Sequence, residues 1–394
     1  MADKRIFLDW NAGAPLRPQA RAAMLEALDL AGNPSSVHRE GREARRLVDE
    51  ARAKIAALFA VEPAGVVFTS GATEAANLAL YSEAAHPSGH ADAGRLIVCA
   101  TEHVSVLQGH KFPPERVGTA AVDADGVVKV AELAARVAAA TAEGGQASVI
   151  VAVQAANNET GVIQPIADIA AAIEPSGAVL VVDAAQAAGK TPLDAVPKHA
   201  GMTILSAHKL GGPKGVGALI VRNGAVQVAP LIRGGGQEFR RRAGTENLLG
   251  IVGFAAAAEV AVAEAAAFAA GATRLRDNLE AALLAATPEA VIYGRAVPRL
   301  ANTTLIGVPG LSGETLVMAF DLAGAAVSSG AACSSGKVGP SHVLAAMGAE
   351  KTATRSAVRI SFGWETSAED LHRFSQLWRQ VVSQIRKNGA VQAA

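Results

Sequence analysis

Cysteine is almost absent from this chain: there are two, Cys99 and Cys333, far apart and in different surroundings. Two such residues make no disulfide framework and suit a reducing compartment, so a cytoplasmic location is expected. An excess of one charge is lacking too. Lys plus Arg and Asp plus Glu each number 36, and a net charge of zero advertises neither nucleic acid nor an anionic membrane as partner. The N-terminus, Met1-Ala-Asp-Lys-Arg-Ile-Phe-Leu-Asp9, has no apolar signal-type stretch. No apolar run is expected to reach the length that spans a bilayer. A Walker A loop is missing as well: Gly189-Lys190-Thr191 lacks the earlier glycine, residue 184 being alanine. What remains is globular in composition, 50% apolar and 18% charged, and 394 residues are enough for one large domain and a smaller one.

From about residue 20 to 255, helical and strand patterns alternate. Arg42 to Phe59 is amphipathic and predicted helical, Gly65 to Thr69 a strand, Thr73 to Ser82 a helix and Arg95 to Ala100 a strand. Ala147 to Gln154 and Ala178 to Asp183 are further strands, with a helix over Pro165 to Ile173 between them. Near-continuous apolar strands separated by helices predict an α/β fold with a mostly parallel sheet covered on both faces. An Ala-rich helix over 251–286 reads as a connector, and the chain from about 290 onward as a smaller α+β unit. The expected division is 15–257 for the large domain and 258–394, with 1–14, for the small one.

Ligands of open parallel sheets sit at the carboxyl ends of strands. Three loops meet that rule. Phe68-Thr-Ser-Gly71-Ala72-Thr73-Glu74 runs from a strand through a glycine turn into a helix start, a place where free N–H groups and the helix dipole hold phosphate, or where a Ser/Thr cap is ordinary structure. Asp183 ends an apolar strand, either capping the next turn or awaiting a cation such as a protonated pyridine nitrogen. Lys209 follows the strand Thr203-Ile-Leu-Ser206 and His208, in a setting that could leave its amine neutral and nucleophilic; Lys214, in the glycine turn beyond, competes for that role. Ser206 and His208 could reach a phosphate. Together, a phosphate cradle, a pyridine carboxylate and a lysine stand in the order used by fold-type I pyridoxal-phosphate (PLP) enzymes.

With these loops in hand, the chain resembles the cysteine desulfurases of the class V aminotransferase superfamily, the group that includes the nitrogen-fixation and housekeeping iron–sulfur enzymes. The landmarks are Gly32-Asn-Pro-Ser-Ser-Val-His38, Phe68-Thr-Ser-Gly-Ala-Thr-Glu74, Thr101-Glu-His103, Asn157-Asn158-Glu-Thr-Gly161, Asp183-Ala-Ala-Gln186, Ser206-Ala-His-Lys209 and Gly235-Gly-Gln-Glu238. Arg242-Ala-Gly-Thr245-Glu-Asn, Ser328-Ser-Gly-Ala-Ala-Cys333-Ser-Ser-Gly336 and Arg359-Ile-Ser-Phe-Gly363 complete them, so the likeness runs nearly end to end. The resemblance implies a fold-type I PLP-transferase in which Lys209 carries the cofactor as a Schiff base and moves the Cα proton. Asp183 would pair with the pyridine nitrogen, Gln186 with the ring hydroxyl, and His103 would stack on the ring and serve in acid–base steps. Ala72, Thr73, Ser206 and His208 would hold the phosphate. Thr245 would reach the phosphate of a second subunit, so a homodimer is implied. Asn158 and Arg359 would hold the substrate carboxylate, with Asn11 also on the substrate side and Asn158 also near the cofactor.

The implied reaction converts L-cysteine to L-alanine and leaves sulfur on Cys333 as a persulfide, for an iron–sulfur scaffold or another sulfur-acceptor protein. Cys333, flanked by Ser, Gly and Ala, lies outside any core pattern; it is also a candidate transient metal ligand. Cys99, within Leu96-Ile-Val-Cys99-Ala, is expected in the core. His86 and His90 are separated by Pro87 and Gly89 and read as a surface loop. Arg240 to Arg242 reads as a solvated turn or subunit contact. Two departures stand out: Ala12-Gly13-Ala14 in place of the family's Ala-Thr-Thr or Ala-Thr, and Gly330-Ala331-Ala332-Cys333 in place of Gly-Ser-Ala-Cys. The competing readings are another class V reaction, such as transamination or selenocysteine cleavage, and a docking platform with little catalysis of its own.

Overall fold

The computed structural model describes residues 5–81, 83–84, 94–144, 149–222, 226–329 and 339–392. In chain order the elements begin with β1 (Ile6–Phe7), α1 (Pro18–Glu26), α2 (Arg39–Leu58), β2 (Val66–Thr69) and α3 (Ala72–Tyr81). There follow β3 (Glu83–Ala84), β4 (Arg95–Cys99), α4 (Val104–Leu107), β5 (Val117–Ala120), α5 (Val130–Gly144), β6 (Val149–Gln154) and α6 (Ile166–Ile173). Next stand β7 (Val179–Asp183), α7 (Ala195–His199), β8 (Met202–Ser206), β9 (Gly217–Val221) and β10 (Val226–Gln227). The remainder holds α8 (Leu248–Ala286), β11 (Val291–Ile292), β12 (Thr303–Gly307), α9 (Gly313–Leu322), β13 (Ala325–Ala326), α10 (His342–Ala346), β14 (Ala357–Ser361) and α11 (Ala368–Gln392).

Seven strands form one sheet in the order β2-β9-β8-β7-β6-β4-β5. The run from β8 through β5 is parallel, and β9 lies antiparallel between β8 and β2. Their apolar continuity has a simple cause. Val151, Val182, Leu205 and Ile220 point into one core with Ile251 and Phe254. Their neighbours Ile150, Val181, Ile204 and Leu219 point the other way, onto Leu78 and Leu80. Both faces are dry, so alternation disappears from the sequence. Cys99 is fully buried on this sheet, as expected.

A second core gathers Ile6, Leu8 and Trp10 with Leu279, Leu283, Ile306, Phe320, Phe374 and Trp378. Phe320 and Trp378 stack with ring centroids 5.5 Å apart. β11, β12 and β14 make its antiparallel sheet. α8 serves both cores: Ile251, Phe254, Ala258 and Ala261 pack into the first, Ala272, Leu279 and Leu283 into the second. Two expectations need correction here. α8 and α2 each start three residues early, because Asn247 accepts the Gly250 N–H and His38 accepts the Gly41 N–H as caps. An apolar stretch of spanning length does exist: an eighteen-residue window of α8 has a mean hydropathy of 1.8, with half of it buried. Alanine side chains account for it, since they raise hydropathy while letting α1 and α2 pack closely on the helix.

One irregular segment bears on the site. Glu238, Phe239 and Arg240 are consecutive non-glycine residues with φ of 47°, 56° and 67°. Side chains resist that left-handed region, so something else must hold it. Glu238 is buried and receives both guanidinium nitrogens of buried Arg52 at 2.7 Å, plus the Phe68 N–H at 2.9 Å. This clamp fixes the segment to β2, just before the loop that starts α3.

Candidate active site

The carboxyl ends of β2, β4, β6, β7 and β8 open on one edge of the sheet, around a cavity of about 510 Å³. Its wall includes Asn11, Ala72, Thr73, His103, Asn158, Asp183, Gln186, Ser206, His208, Lys209 and Arg359. All the sequence-derived site residues within the described chain therefore converge here except Thr245. Thr245 is exposed and lines a smaller neighbouring cavity, which shares Ser70 and Gly215 with the first. Cys333 lies outside the described residues, as do His86, His90 and most of the segment around Cys333. The landmark ending at His38 is not brought to the cavity; His38 caps α2 instead.

At one end of the cavity, Gly71 opens the N-terminus of α3, and a Cβ at this position would touch nothing within 4 Å. Directly across, Gly217 starts β9 so close that a Cβ would fall 2.7 Å from the Gly71 backbone. The free amides of α3, with Thr73, Ser206 and His208, form a cradle that suits a phosphate. The Ser206 hydroxyl lies 3.0 Å from His208 Nδ1. Burial and the fields of Lys209, Lys214 and Lys190 push the His208 pKa down to about 4, so this imidazole is neutral. Behind the cradle, Glu74 accepts the Ser70 N–H at 2.7 Å and the Arg242 guanidinium at 2.9 Å. Burial opposes its charge, yet those hydrogen bonds leave the Glu74 carboxyl below its ordinary pKa. Arg242 is thus a buttress within the chain rather than a solvated turn residue.

At the centre, Asp183 accepts the Ala185 N–H at 2.9 Å, so the turn-capping role is real. Burial nevertheless raises its pKa, with that N–H and Lys209 acting the other way, so the ionised form lacks compensation that a cationic ligand atom would supply. Lys209 follows β8 and donates to the carbonyls of Asn11, at 2.6 Å, and Ala12, at 3.0 Å. Burial and then the Arg359 guanidinium bring its pKa down to about 8, against the pull of Asp9 and Asp183. The competing Lys214 is exposed at the rim of the cavity, where its amine stays in water. His103 accepts the Ser105 N–H on Nδ1 at 3.2 Å, which leaves the proton of its neutral ring on Nε2. Burial, then Lys209 and His342, lower its pKa.

Arg359 is almost fully buried. It donates to the Asn158 carbonyl at 2.9 Å and pairs with Asp9 at 2.7 Å. Its ion-pair role therefore coexists with its place on the cavity wall, and its Nε has no partner among the described residues. The Ala12-Gly13-Ala14 departure leaves room, since a Cβ at Gly13 would meet only the His208 ring, at 3.7 Å. Sequence reasoning missed two buried groups. Glu102 keeps a carboxyl oxygen beside the site that has no partner among the described residues, its pKa raised well above the ordinary range by burial and the nearby Asp183. Lys190 is buried behind Asn11 and Gln186, which line the cavity. Its only sequence signal is the four-residue spacing from Gln186.

The residues present fit PLP: an anion cradle, a carboxylate short of a cation and a lysine with a depressed pKa face one cavity in the order a phosphorylated pyridine aldehyde requires. Comparison with known proteins agrees. The family described as aminotransferase class-V matches residues 6–374. A cysteine desulfurase of Cereibacter sphaeroides is 40% identical, the match covering 97% of each chain. The solved structure of a NifS-like protein from Rickettsia africae is 30% identical, with a TM-score of 0.85 over 96% of this chain and 99% of that one. A structure described as SspA in complex with cysteine is 28% identical, with a TM-score of 0.73, covering 91% of this chain and 99% of the other.

Proposed function

This chain belongs to the class-V aminotransferase family, and from that premise we propose that it is a PLP-dependent cysteine desulfurase. The observation that carries the reading is the meeting of Lys209 and Asp183 with the α3 cradle in one cavity; the names of the relatives supply the substrate class. Bound PLP supplies an electron sink that acidifies the substrate Cα and loosens its Cβ–S bond. Lys209, with its pKa at about 8, is a base able to take the Cα proton near neutral pH. Asp183 holds the proton on the pyridine nitrogen. His103 can give a proton from Nε2. Arg359 and Asn158 orient the substrate carboxylate, with Asn11 behind them, and Ala72, Thr73, Ser206 and His208 hold the phosphate.

Cys333 is the proposed sulfur acceptor. The substrate's Cβ–S bond breaks as its sulfur bonds to the Cys333 sulfur and carbon takes up a proton. Substrate thiol plus enzyme thiol thus become alanine plus an enzyme persulfide. Cys99 offers no alternative: burial, then the Glu102 carboxyl, push its thiol up to about 12, where almost no thiolate exists at neutral pH.

A homodimer is part of the proposal. Exposed Leu25, Leu28 and Val37 lie in one segment and Leu231, Ile232 and Phe239 in another, and Gln237 joins the two by donating to Ser35 Oγ at 3.2 Å. Such apolar exposure near Thr245 favours a second copy there. Residues 15–257 would then form the cofactor domain, with the hand-over to 258–394 and 1–14 inside α8. We further place the enzyme in the cytoplasm, delivering sulfur to an iron–sulfur scaffold or other acceptor, nitrogen-fixation assembly among the candidate routes, with Cys333 as a transient metal ligand.

The deciding experiment measures alanine and sulfide from L-cysteine with a reductant, alongside the cofactor's visible band. Wild type is expected to make both products, Lys209→Ala to lose band and turnover, and Cys333→Ala to keep the band and lose turnover. A Cys333→Ala enzyme that works as well as wild type overturns the persulfide reading in favour of another class V reaction. Full sulfur delivery by Lys209→Ala would point to a docking platform.

A further inference from the structure

Lys190 stands behind the cavity wall, against Asn11 and Gln186, and the proposed mechanism does not use it. It follows β7 by seven residues, is buried, and makes no ion pair with a carboxylate among the described residues. Its Nζ instead donates to two amide oxygens, Asn11 Oδ1 at 2.8 Å and Gln186 Oε1 at 2.6 Å. A buried lysine spent on two neutral amides needs a reason.

The reason lies in the direction of a hydrogen-bond chain. It begins at the Phe362 carbonyl, which can only accept, and which takes the Asn302 Nδ2 N–H at 2.7 Å. Asn302 Oδ1 must then accept from the Thr303 hydroxyl at 3.1 Å. With its proton committed, Thr303 Oγ1 accepts from Asn11 Nδ2 at 3.0 Å. That turns Asn11 Oδ1 toward Lys190, which has to donate. Lys190 donates again to Gln186 Oε1. Gln186 Nε2 completes the circuit on the Asn11 carbonyl at 2.9 Å. The same carbonyl accepts from Lys209 Nζ at 2.6 Å. Two N–H bonds suffice for Lys190, so the arrangement survives with the amine neutral. Burial, then the fields of Lys209 and Arg359, indeed lower its pKa far below the ordinary lysine value.

Every amide in the circuit has one allowed orientation, and Gln186, which lines the cavity, keeps a second N–H that no bond of the circuit uses. We propose that Lys190 is a positioning residue that locks the Gln186 amide with its nitrogen, and not its oxygen, presented to the ligand, while fixing Asn11 as the seat of the Lys209 amine. The inference rests on the cofactor reading above. Given that reading, the ligand atom served is an oxygen on the aromatic ring that gains negative charge, and a fixed donor lowers that oxygen's proton affinity. Without Lys190, two buried amide oxygens lose their donor, Gln186 is free to turn over, and an acceptor can face an anion.

The test is a pH titration of the cofactor's visible band in wild type, Lys190→Met, Gln186→Leu and the double variant, with PLP affinity and thermal midpoints measured on each. Lys190→Met is expected to raise the titration midpoint by about half a unit to one unit, the range set by one neutral hydrogen bond. Gln186→Leu should shift it similarly, and the double variant no further, because both remove the same donor. A purely structural Lys190 would lower the thermal midpoint and leave the titration where it was, and that result overturns the proposal, as do shifts that add. Should Lys190→Met not fold, Lys190→Leu, which likewise offers no donor, must still move the midpoint upward; an unmoved midpoint there is equally fatal. A wild type with no visible band would instead sink the cofactor reading, and this inference with it.

Discussion

At the scale of single residues, the site works by placing ionisable groups where water cannot stabilise their usual charge. Lys209 is the clearest case: burial and the Arg359 guanidinium act together on an amine whose contacts are backbone carbonyls. Because its pKa is lowered, the neutral, nucleophilic fraction grows as pH rises through about 8 and is already half complete there, where an ordinary lysine would be almost wholly protonated. Apoenzyme mixed with PLP should therefore regain the visible band at a rate that climbs with pH and levels off above about 8 to 9. A rate still climbing tenfold per unit at that point would show that Lys209 keeps its solution pKa. Arg359→Lys, which keeps a cation but loses the fork held by Asp9 and Asn158, should weaken cysteine binding by roughly tenfold or more, the size of a lost charged hydrogen bond, as read from KM.

At the scale of elements, what matters is how loops are held at the sheet's edge. The left-handed run at Glu238, Phe239 and Arg240 owes its shape to Arg52, which reaches from α2 into the same pocket as β2. Arg52→Met would leave Glu238 buried without its partner, a loss of about 3 to 5 kcal/mol. The expected signs are a lowered thermal midpoint and weaker PLP binding, since the Phe68 amide and the Arg242–Glu74 pair both hang on this segment. Undiminished stability would mean that the backbone holds the run unaided. None of this clamp was legible in the sequence, because Arg52 and Glu238 are 186 residues apart and their pairing depends on a loop conformation no local pattern encodes. The strands ending near Thr69, Cys99, Gln154, Asp183 and Ser206, by contrast, were legible to within two residues, because dry faces on both sides write continuous apolar runs, whereas β5 and β9 of the same sheet were not read. The catalytic loops were legible because strand ends in a parallel sheet must converge. Lys190 was not, since its significance lies in the polarity of a circuit running through Asn11, Thr303 and Asn302, distant parts of the chain. α8 misled for an opposite reason: alanine satisfies a hydropathy rule and a close-packing rule at once.

At the scale of the whole molecule, the position of Thr245 makes a demand. It is exposed, lies off the cavity holding Lys209, and sits with Ser70 and Gly215 against the back of the phosphate cradle. If Thr245 completes the site of a second copy, then sites are shared, and sharing has an arithmetic. A Lys209→Ala subunit is inactive in its own site, and a Thr245→Val subunit impairs its partner's. In a mixed dimer, one site carries both defects. The other combines an intact Lys209 with an intact Thr245 from across the interface. Unfolding and refolding the two variants together should thus restore activity toward a quarter of wild type, since half of the random pairs are mixed and each has one good site. Variants refolded separately and then assayed as a mixture should show only the residual activity of each. If co-refolding restores nothing while dimers do form, Thr245 acts within its own chain, and the second copy is not part of the active site. If the chain sediments as a monomer at full activity, the exposed apolar residues from Leu25 to Val37 and from Leu231 to Phe239 face some other partner.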